Sequence, residues 1–382
     1  MRILIAAGGT GGHIYPALAV VTQLRTRTSE LQLRWLGGRR GLEQDIVPGA
    51  DIRLDRLWLR SLRTVDASLN SVLDPLRLLA SVPQALWYLL RWRPDVIYTT
   101  GGYVAIPVLA AAAVLRIPSL IWEGNRIPGR SVRVSGRMAT LRTVSFAGAA
   151  GELPQPTLVT GTPIRGLGGL GREAACRRLG LPEDVPVMLV FGGSQEVRRF
   201  NAAVSEALVD LVERCVVVHI TGSGGIAAAE ADRARLPLER QPRYRPFSFL
   251  DEDMSAALAS ARIVVGRAGS STLAECAAAG VPLVVVPYPH AAAHQKANAA
   301  ELVDAGAAVL VDDADFDGDT LRDACALLYD SDRLESMSER AQAIGRPSSA
   351  AASAELLLRL AASEPLPTQR EVDALSGADV GA

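Results

Sequence analysis

Four glycines in five positions, Gly8, Gly9, Gly11 and Gly12, close the apolar run at residues 3–7 and lead directly into His13 and a helical pattern over 16–28. A strand that ends in glycines before a helix exposes backbone N–H groups, and the aligned peptide dipoles make that helix end attractive to an anion. Glycine also lets a ligand approach the backbone closely. The loop is therefore expected to form a pocket for phosphate or a polar substrate. An imidazole titrates near pH 6.5, and a helix N-terminus favours its neutral form, so His13 has the chemistry of a general base.

A second cluster, GRAGSSTLAEC at 266–276, sets the hydroxyls of Ser270, Ser271 and Thr272 at a helix start. Thr272 and Glu275 have the T-x-x-E spacing of a capping box. Alternatively, Glu275, one turn into the helix, accepts hydrogen bonds from two adjacent sugar hydroxyls. The nearby stretch PHAAAHQKANA places His290, His294, Gln295 and Asn298 on one loop and helix start, as outward-facing polar groups. They follow a strand's C-terminal end, which is where open α/β sheets bind ligands.

Three familiar sites are excluded. The dinucleotide fingerprint fails because Ile14 stands where its third glycine belongs and the second strand ends in LGGRRG, without an acid. No Gly-Lys-Ser/Thr occurs, so the nucleotide P-loop is absent as well. DADFDGD at 313–319 opens like a calcium loop, but its twelfth position is Ala324, where a bidentate glutamate is required. That run reads as an acidic loop before a helix.

The elements that must carry these residues alternate. Short apolar strands open the stretches 31–37, 95–102, 118–125, 186–195, 215–225, 261–280 and 282–289 and run into loops or helices, as in a parallel sheet covered on both faces. The second half restarts the plan of the first, and the glycine-rich GTPIRGLGGLG at 161–171 reads as the linker. The 382 residues, 49% hydrophobic and 21% charged, suffice for two domains. A net charge of −1 supplies no global field for nucleic acid. Cys176, Cys215, Cys276 and Cys325 lack metal or redox spacing, so a reducing compartment is expected. The first residues carry no signal-peptide cleavage pattern, and the longest uncharged apolar run, 103–115, falls short of the roughly 20 residues of a membrane span. Residues 52–93 combine Trp58, Trp87, Trp92 and many leucines with seven arginines against three aspartates, which suits an interface with anionic lipid.

Taken in order, GGTGGHIYPALA (8–19), TGGYV (100–104), GNRIPG (124–129), GTPIR (161–165), FGGSQ (191–195), RAGSSTLAE (267–275) and HQKANA (294–299) resemble the MurG family of bacterial glycosyltransferases over residues 1–350. The resemblance implies the α/β GT-B architecture, two doubly wound Rossmann-like domains facing a cleft. It implies an N-terminal acceptor and membrane-side domain at 1–165, a UDP-sugar-binding domain at 166–345 and a helix at 346–365 returning to the first domain; the polar tail at 366–382, which has no periodic pattern, is expected to be disordered. The implied reaction is inverting transfer of N-acetylglucosamine from UDP-GlcNAc to the undecaprenyl-pyrophosphoryl-MurNAc-pentapeptide, lipid I, to give lipid II. No cofactor and no metal-binding carboxylate motif are implied.

By the same resemblance, Thr10, Gly11 and Gly12 line the acceptor and sugar side, with Asn125 near the transferred sugar and His13 as the base. Arg165 contacts nucleotide or phosphate, Ser194 binds the diphosphate and Leu250 abuts the uracil. Ser270, Ser271, Thr272 and Glu275 hold phosphate and ribose; His294 and Gln295 contact the donor sugar. The expected setting is peripheral, on the cytoplasmic face of the bacterial plasma membrane, with an anionic membrane surface and other cell-wall synthesis enzymes as partners and no nucleic acid. The chain departs from the pattern at Trp122 and Gly124, where the family has His and Gln, and at Glu196, where it has glycine. Another UDP-sugar-dependent glycolipid transferase, or a catalytically weak nucleotide-sugar-binding scaffold, would share the donor motifs.

Overall fold

The computed structural model describes residues 1–59, 69–166, 169–193, 197–251, 253–289 and 292–378. Contacts divide the chain into two units, residues 1–165 with 348–382, and residues 166–347.

The first unit is built on seven strands: β1 (Arg2–Ala6), β2 (Gln32–Gly37), β3 (Arg53–Arg56), β4 (Val96–Thr99), β5 (Ser119–Glu123), β6 (Leu141–Val144) and β7 (Thr157–Val159). Their order is β3-β2-β1-β4-β5-β6-β7. β1 lies parallel between β2 and β4, with Ala6 opposite Leu36 on one side and Thr99 on the other. Both faces are covered, so its apolar run is continuous rather than alternating. Ile3 and Ile5 pack with Val20, Leu24 and Trp35 on one face. Leu4 and Ala6 pack with Leu89, Trp92 and Val108 on the other.

The second unit repeats the plan with β8 (Val187–Phe191), β9 (Val216–Ile220), β10 (Tyr244–Phe247), β11 (Ile263–Gly266), β12 (Leu283–Val285) and β13 (Ala308–Leu310). The order is β10-β9-β8-β11-β12-β13. In each unit the strand order reverses once, between β1 and β4 and between β8 and β11. Loops leaving the two strands at a reversal diverge and open a crevice at the carboxyl ends of the strands. Both glycine motifs leave strands at these reversals. The two sheets are Rossmann-like, as the GT-B expectation requires.

Two local expectations change. The helix expected over 16–28 is Gly11–Arg27. Its first turn has no apolar periodicity to betray it; Thr10 O anchors it by accepting from the N–H groups of His13 (3.1 Å) and Ile14 (3.3 Å). The expected disordered tail contains the helix Gln369–Ser376, closed by a capping box between Thr368 and Glu371. Val372 on it is fully buried in the first unit's core. Gln369 pairs both ways with the edge strand β7, its Oε1 accepting from Val159 N (2.8 Å) and its Nε2 donating to Val159 O (3.0 Å). The amide thus fills a place that another strand would otherwise take. Eight residues span too few turns for a periodic pattern to show in sequence. The preceding helix, Ser349–Ala362, packs beside Gly11–Arg27 in the same unit.

Placing a charge where Val372 sits leaves it buried and unpaired. Val372→Asp is expected to lower stability by about 3 kcal/mol, read as a drop in the melting temperature together with rapid proteolysis after residue 362.

Candidate active site

At the first reversal the loops after β1 and β4 are tied by two reciprocal bonds. His13 Nδ1 lies 2.7 Å from Thr100 O, and Thr100 Oγ1 donates to His13 O at 2.9 Å. A carbonyl oxygen only accepts, so Nδ1 must carry the proton. The lone pair of the neutral ring is then on Nε2. Burial lowers the pKa of His13; the Thr100 carbonyl and the charge of Glu123 oppose that shift without cancelling it. The result is a neutral imidazole with one defined basic nitrogen.

Beneath the loop lies a carboxylate that the motif pattern does not reveal. Glu43 is fully buried. Its Oε2 accepts from Gly9 N–H (2.8 Å), and its Oε1 accepts from Gly38 N–H (3.1 Å) and from the Tyr103 hydroxyl (3.2 Å). A β-carbon on Gly8 would stand 2.6 Å from Glu43 Oε1, so only glycine lets the chain pass. Gly9 has φ +99°, which also favours glycine. Glu43 follows LGGRRGL, close to where dinucleotide folds place a ribose-binding acid. Here its oxygens are taken up by the protein's own donors.

The Gly9 N–H is spent on Glu43, which leaves the helix start as the part of the loop able to meet a phosphate or a polar substrate. The helix Gly11–Arg27 has no side-chain cap and no acid in its first turn. Its first amides, at Gly11 and Gly12, are therefore not taken up by a capping side chain. On the next loop Glu123, itself buried, accepts from the backbone N–H (2.8 Å) and Nδ2 (3.0 Å) of Asn125 and from Gly129 N–H (2.8 Å). Asn125 is thereby held at the carboxyl end of β5. Trp122 is buried and donates from Nε1 to Gly161 O (3.1 Å), so this departure from the pattern packs inside the unit. The Arg165 guanidinium lies 4.7 Å from the ring centre of Tyr15, on the helix that begins with the glycine loop.

In the second unit β11 leads through Arg267, Ala268 and Gly269 into the helix Ser270–Ala279. Gly269 is the N-cap and no side chain caps this helix. Thr272 is thus its third residue rather than its cap, and the capping-box alternative falls. Ser270, Ser271 and Thr272 occupy the first turn, with Glu275 beyond them. An uncapped first turn of amides and hydroxyls, with no acid in it, attracts an anion. Leu250, just after β10, is buried, and Phe249 beside it is exposed. On the helix Ala292–Asp304, His294 is exposed and Gln295 Oε1 accepts from Tyr288 N–H (2.8 Å). Asn298, expected to face outward, is buried and donates toward Ala268 O (3.4 Å). Its amide braces the β11 loop from behind. Ser194, Glu196 and His290 lie outside the described residues.

The structure thus brings Thr10, Gly11, Gly12, His13 and Asn125 to the carboxyl ends of the first sheet's interior strands, after β1 and β5. It brings Ser270, Ser271, Thr272 and Glu275 to one helix start of the second. Sequence reasoning missed Glu43 and Glu123 because their work is done on backbone amides, which no side-chain spacing advertises. It missed Thr100 as well, although TGGYV was in view.

Comparisons with known proteins agree across the chain. Residues 3–142 match the glycosyltransferase family 28 N-terminal domain, and residues 187–354 match the family's C-terminal domain. The chain is 36% identical over 359 residues to the UDP-N-acetylglucosamine--N-acetylmuramyl-(pentapeptide) pyrophosphoryl-undecaprenol N-acetylglucosamine transferase of Desulforamulus reducens, covering 91% of this chain and 95% of that one. It is 37% identical over 356 residues to the protein of the same name from Syntrophotalea carbinolica, covering 90% and 95%. Among solved structures, MurG of Acinetobacter baumannii superposes with a TM-score of 0.73 at 27% identity, covering 94% of this chain and 99% of the other.

The tautomer and the lowered pKa are measurable together. A pH titration of the His13 ring by ¹⁵N NMR is expected to show a protonated Nδ1, an unprotonated Nε2 and a midpoint below 6.5, the ordinary histidine value. Replacing Thr100 by alanine leaves the carbonyl bond in place and is expected to keep the tautomer.

Proposed function

This chain belongs to glycosyltransferase family 28, in its MurG branch, and on that premise we propose that it transfers N-acetylglucosamine from UDP-N-acetylglucosamine to undecaprenyl-pyrophosphoryl-N-acetylmuramyl-pentapeptide, inverting the anomeric centre. The observation that carries the reading is the match, over 91% of the chain, to transferases of that name.

The chemistry follows from the residues. An acceptor sugar hydroxyl gives its proton to Nε2 of His13 as its oxygen attacks the anomeric carbon. The bond from that carbon to the diphosphate oxygen breaks, and UDP leaves with the electron pair. Burial keeps His13 neutral at cellular pH, so the base is ready before substrate arrives. Thr10, Gly11, Gly12 and Asn125 hold the acceptor and the transferred sugar. Amides and hydroxyls at Ser270, Ser271 and Thr272, together with Ser194, meet the charge that develops on the departing diphosphate. Glu275 takes the ribose hydroxyls, Leu250 backs the uracil, and His294 and Gln295 face the donor sugar.

A lipid-linked acceptor requires access to a membrane surface. Among the described residues no helix is long and apolar enough to cross a membrane. The helix Leu69–Trp92 instead presents one apolar stripe outward: Leu76, Leu79, Trp87 and Leu90 are 58%, 70%, 64% and 50% exposed. Trp58, 57% exposed, lies alongside, its backbone N–H bonded to Gln84 Oε1 and its ring under the Arg39 guanidinium. Apolar side chains with arginines around them suit an anionic lipid interface. Arg60, Arg63 and Asp66 of the same stretch lie outside the described residues.

UDP release is expected with UDP-N-acetylglucosamine and a lipid I analogue together, with neither alone, and undiminished in EDTA. Donor binding without turnover would point to a scaffold, and turnover only with another lipid to a different transferase. His13→Gln is expected to lower kcat by roughly 10²–10⁴-fold with donor binding retained. In the wild type, kcat/KM should fall on acidification only below about pH 6.5, because burial depresses the pKa at which the base is lost. Trp87→Glu with Leu79→Glu is expected to abolish pelleting with anionic liposomes while leaving turnover on a detergent-soluble acceptor intact.

A further inference from the structure

The acidic run at 313–319, read in sequence as an acidic loop before a helix, is tied to the donor-side elements of the second unit. Asp313 Oδ1 accepts from Nη1 of Arg267 (2.5 Å), and its Oδ2 lies 3.6 Å from Nε of Arg199. Arg199 Nη1 also donates to the backbone carbonyls of Asp313, Ala314 and Phe316. Arg267 is only 5% exposed. Its guanidinium lies 4.9 Å from the ring centre of Phe200 and 5.4 Å from that of Tyr288, and it donates toward the carbonyls of Val286 (3.3 Å) and Pro287 (3.4 Å). Its Nε has no hydrogen-bond partner.

Three elements thereby converge on one carboxylate. Arg267 opens the loop that leads to Ser270. Arg199 is in the first turn of the helix Arg198–Arg214, which follows the glycines after β8. Val286 and Pro287 belong to the exit of β12, the loop that Gln295 also holds. A guanidinium buried this deeply is costly unless a carboxylate neutralises it, and removing that partner strands the charge. Asp313 is the acid paired with it, among the described residues. The neighbouring pair Asp312–Lys296 is about half exposed on both sides, so it contributes little.

We propose that Asp313 is a positioning residue for the nucleotide-sugar donor. It holds Arg267 and Arg199 so that the loop after β11 and the start of the helix Arg198–Arg214 keep one fixed geometry for the diphosphate. It touches no substrate itself. The inference rests on the reading of the second unit as the UDP-sugar-binding half. Its consequence is that donor affinity depends on a loop outside every recognised donor motif.

Calorimetry with UDP and steady-state kinetics in UDP-N-acetylglucosamine, on the full chain, test it. Asp313→Asn is expected to weaken the UDP Kd and raise the donor KM by about tenfold, with kcat changed less than about twofold. Asp313→Glu restores the charge and is expected to recover most of that affinity. Arg199→Gln removes the 42%-exposed partner, which folding tolerates, and is expected to raise KM by about threefold. Asp315→Asn, an exposed change in the same loop, leaves both values at wild type. Should Asp313→Asn fail to fold, the Arg199→Gln result decides. Variants that bind UDP as tightly as the wild type, whatever their melting temperature, overturn the inference alone. A wild-type chain that binds no UDP overturns the donor reading and the inference with it.

Discussion

Two hydrogen bonds between His13 and Thr100 span the point where the first sheet reverses its strand order, and the chemistry of that unit depends on them. Loops leaving adjacent strands at such a reversal diverge, so nothing in the sheet itself keeps them in register. The histidine supplies the missing constraint with its ring and its own carbonyl together. The bond that positions the ring also assigns its proton to Nδ1. Placement and protonation state are therefore one interaction, and loss of the contact would cost both.

Each unit buries a charge under the loop that it must shape, and the two charges are opposite. Glu43 lies beneath the first glycine loop and is satisfied by two amides and a phenol. Arg267 lies beneath the second and is satisfied by a carboxylate and backbone carbonyls. In a low-dielectric interior such charges act on their surroundings far more strongly than surface charges do. Glu43 turns its oxygens to the amides of its own loop, and Arg267 is paired with Asp313, so each buried charge fixes the backbone around it rather than facing outward.

The surface of the first unit shows the same economy. The helix Leu69–Trp92 covers the sheet with Ala85, Leu89 and Trp92 and turns Leu79 and Trp87 outward. A single amphipathic element can cover the core and still turn apolar side chains outward because helical periodicity separates the two faces by half a turn. The sequence shows the excess of apolar residues there; the split between faces is visible only once the helix is packed.

The amino-acid sequence by itself determined the alternation of strands and helices, the two-unit plan, and the identity of the loops that carry glycine, histidine and hydroxyls. These are local properties: an apolar run, a turn residue or a helix start is specified by neighbours a few positions away. The tertiary structure decided everything that depends on distant partners. It showed that Glu43 serves Gly9 rather than a ribose, that Thr272 is inside its helix rather than capping it, and that Asn298 faces inward. It also showed that the last helix docks through Val372 and Gln369 onto a strand more than 200 positions earlier. Backbone amides and carbonyls carry most of these contacts, and since every residue has them, their pairing is written in the fold and not in the side chains.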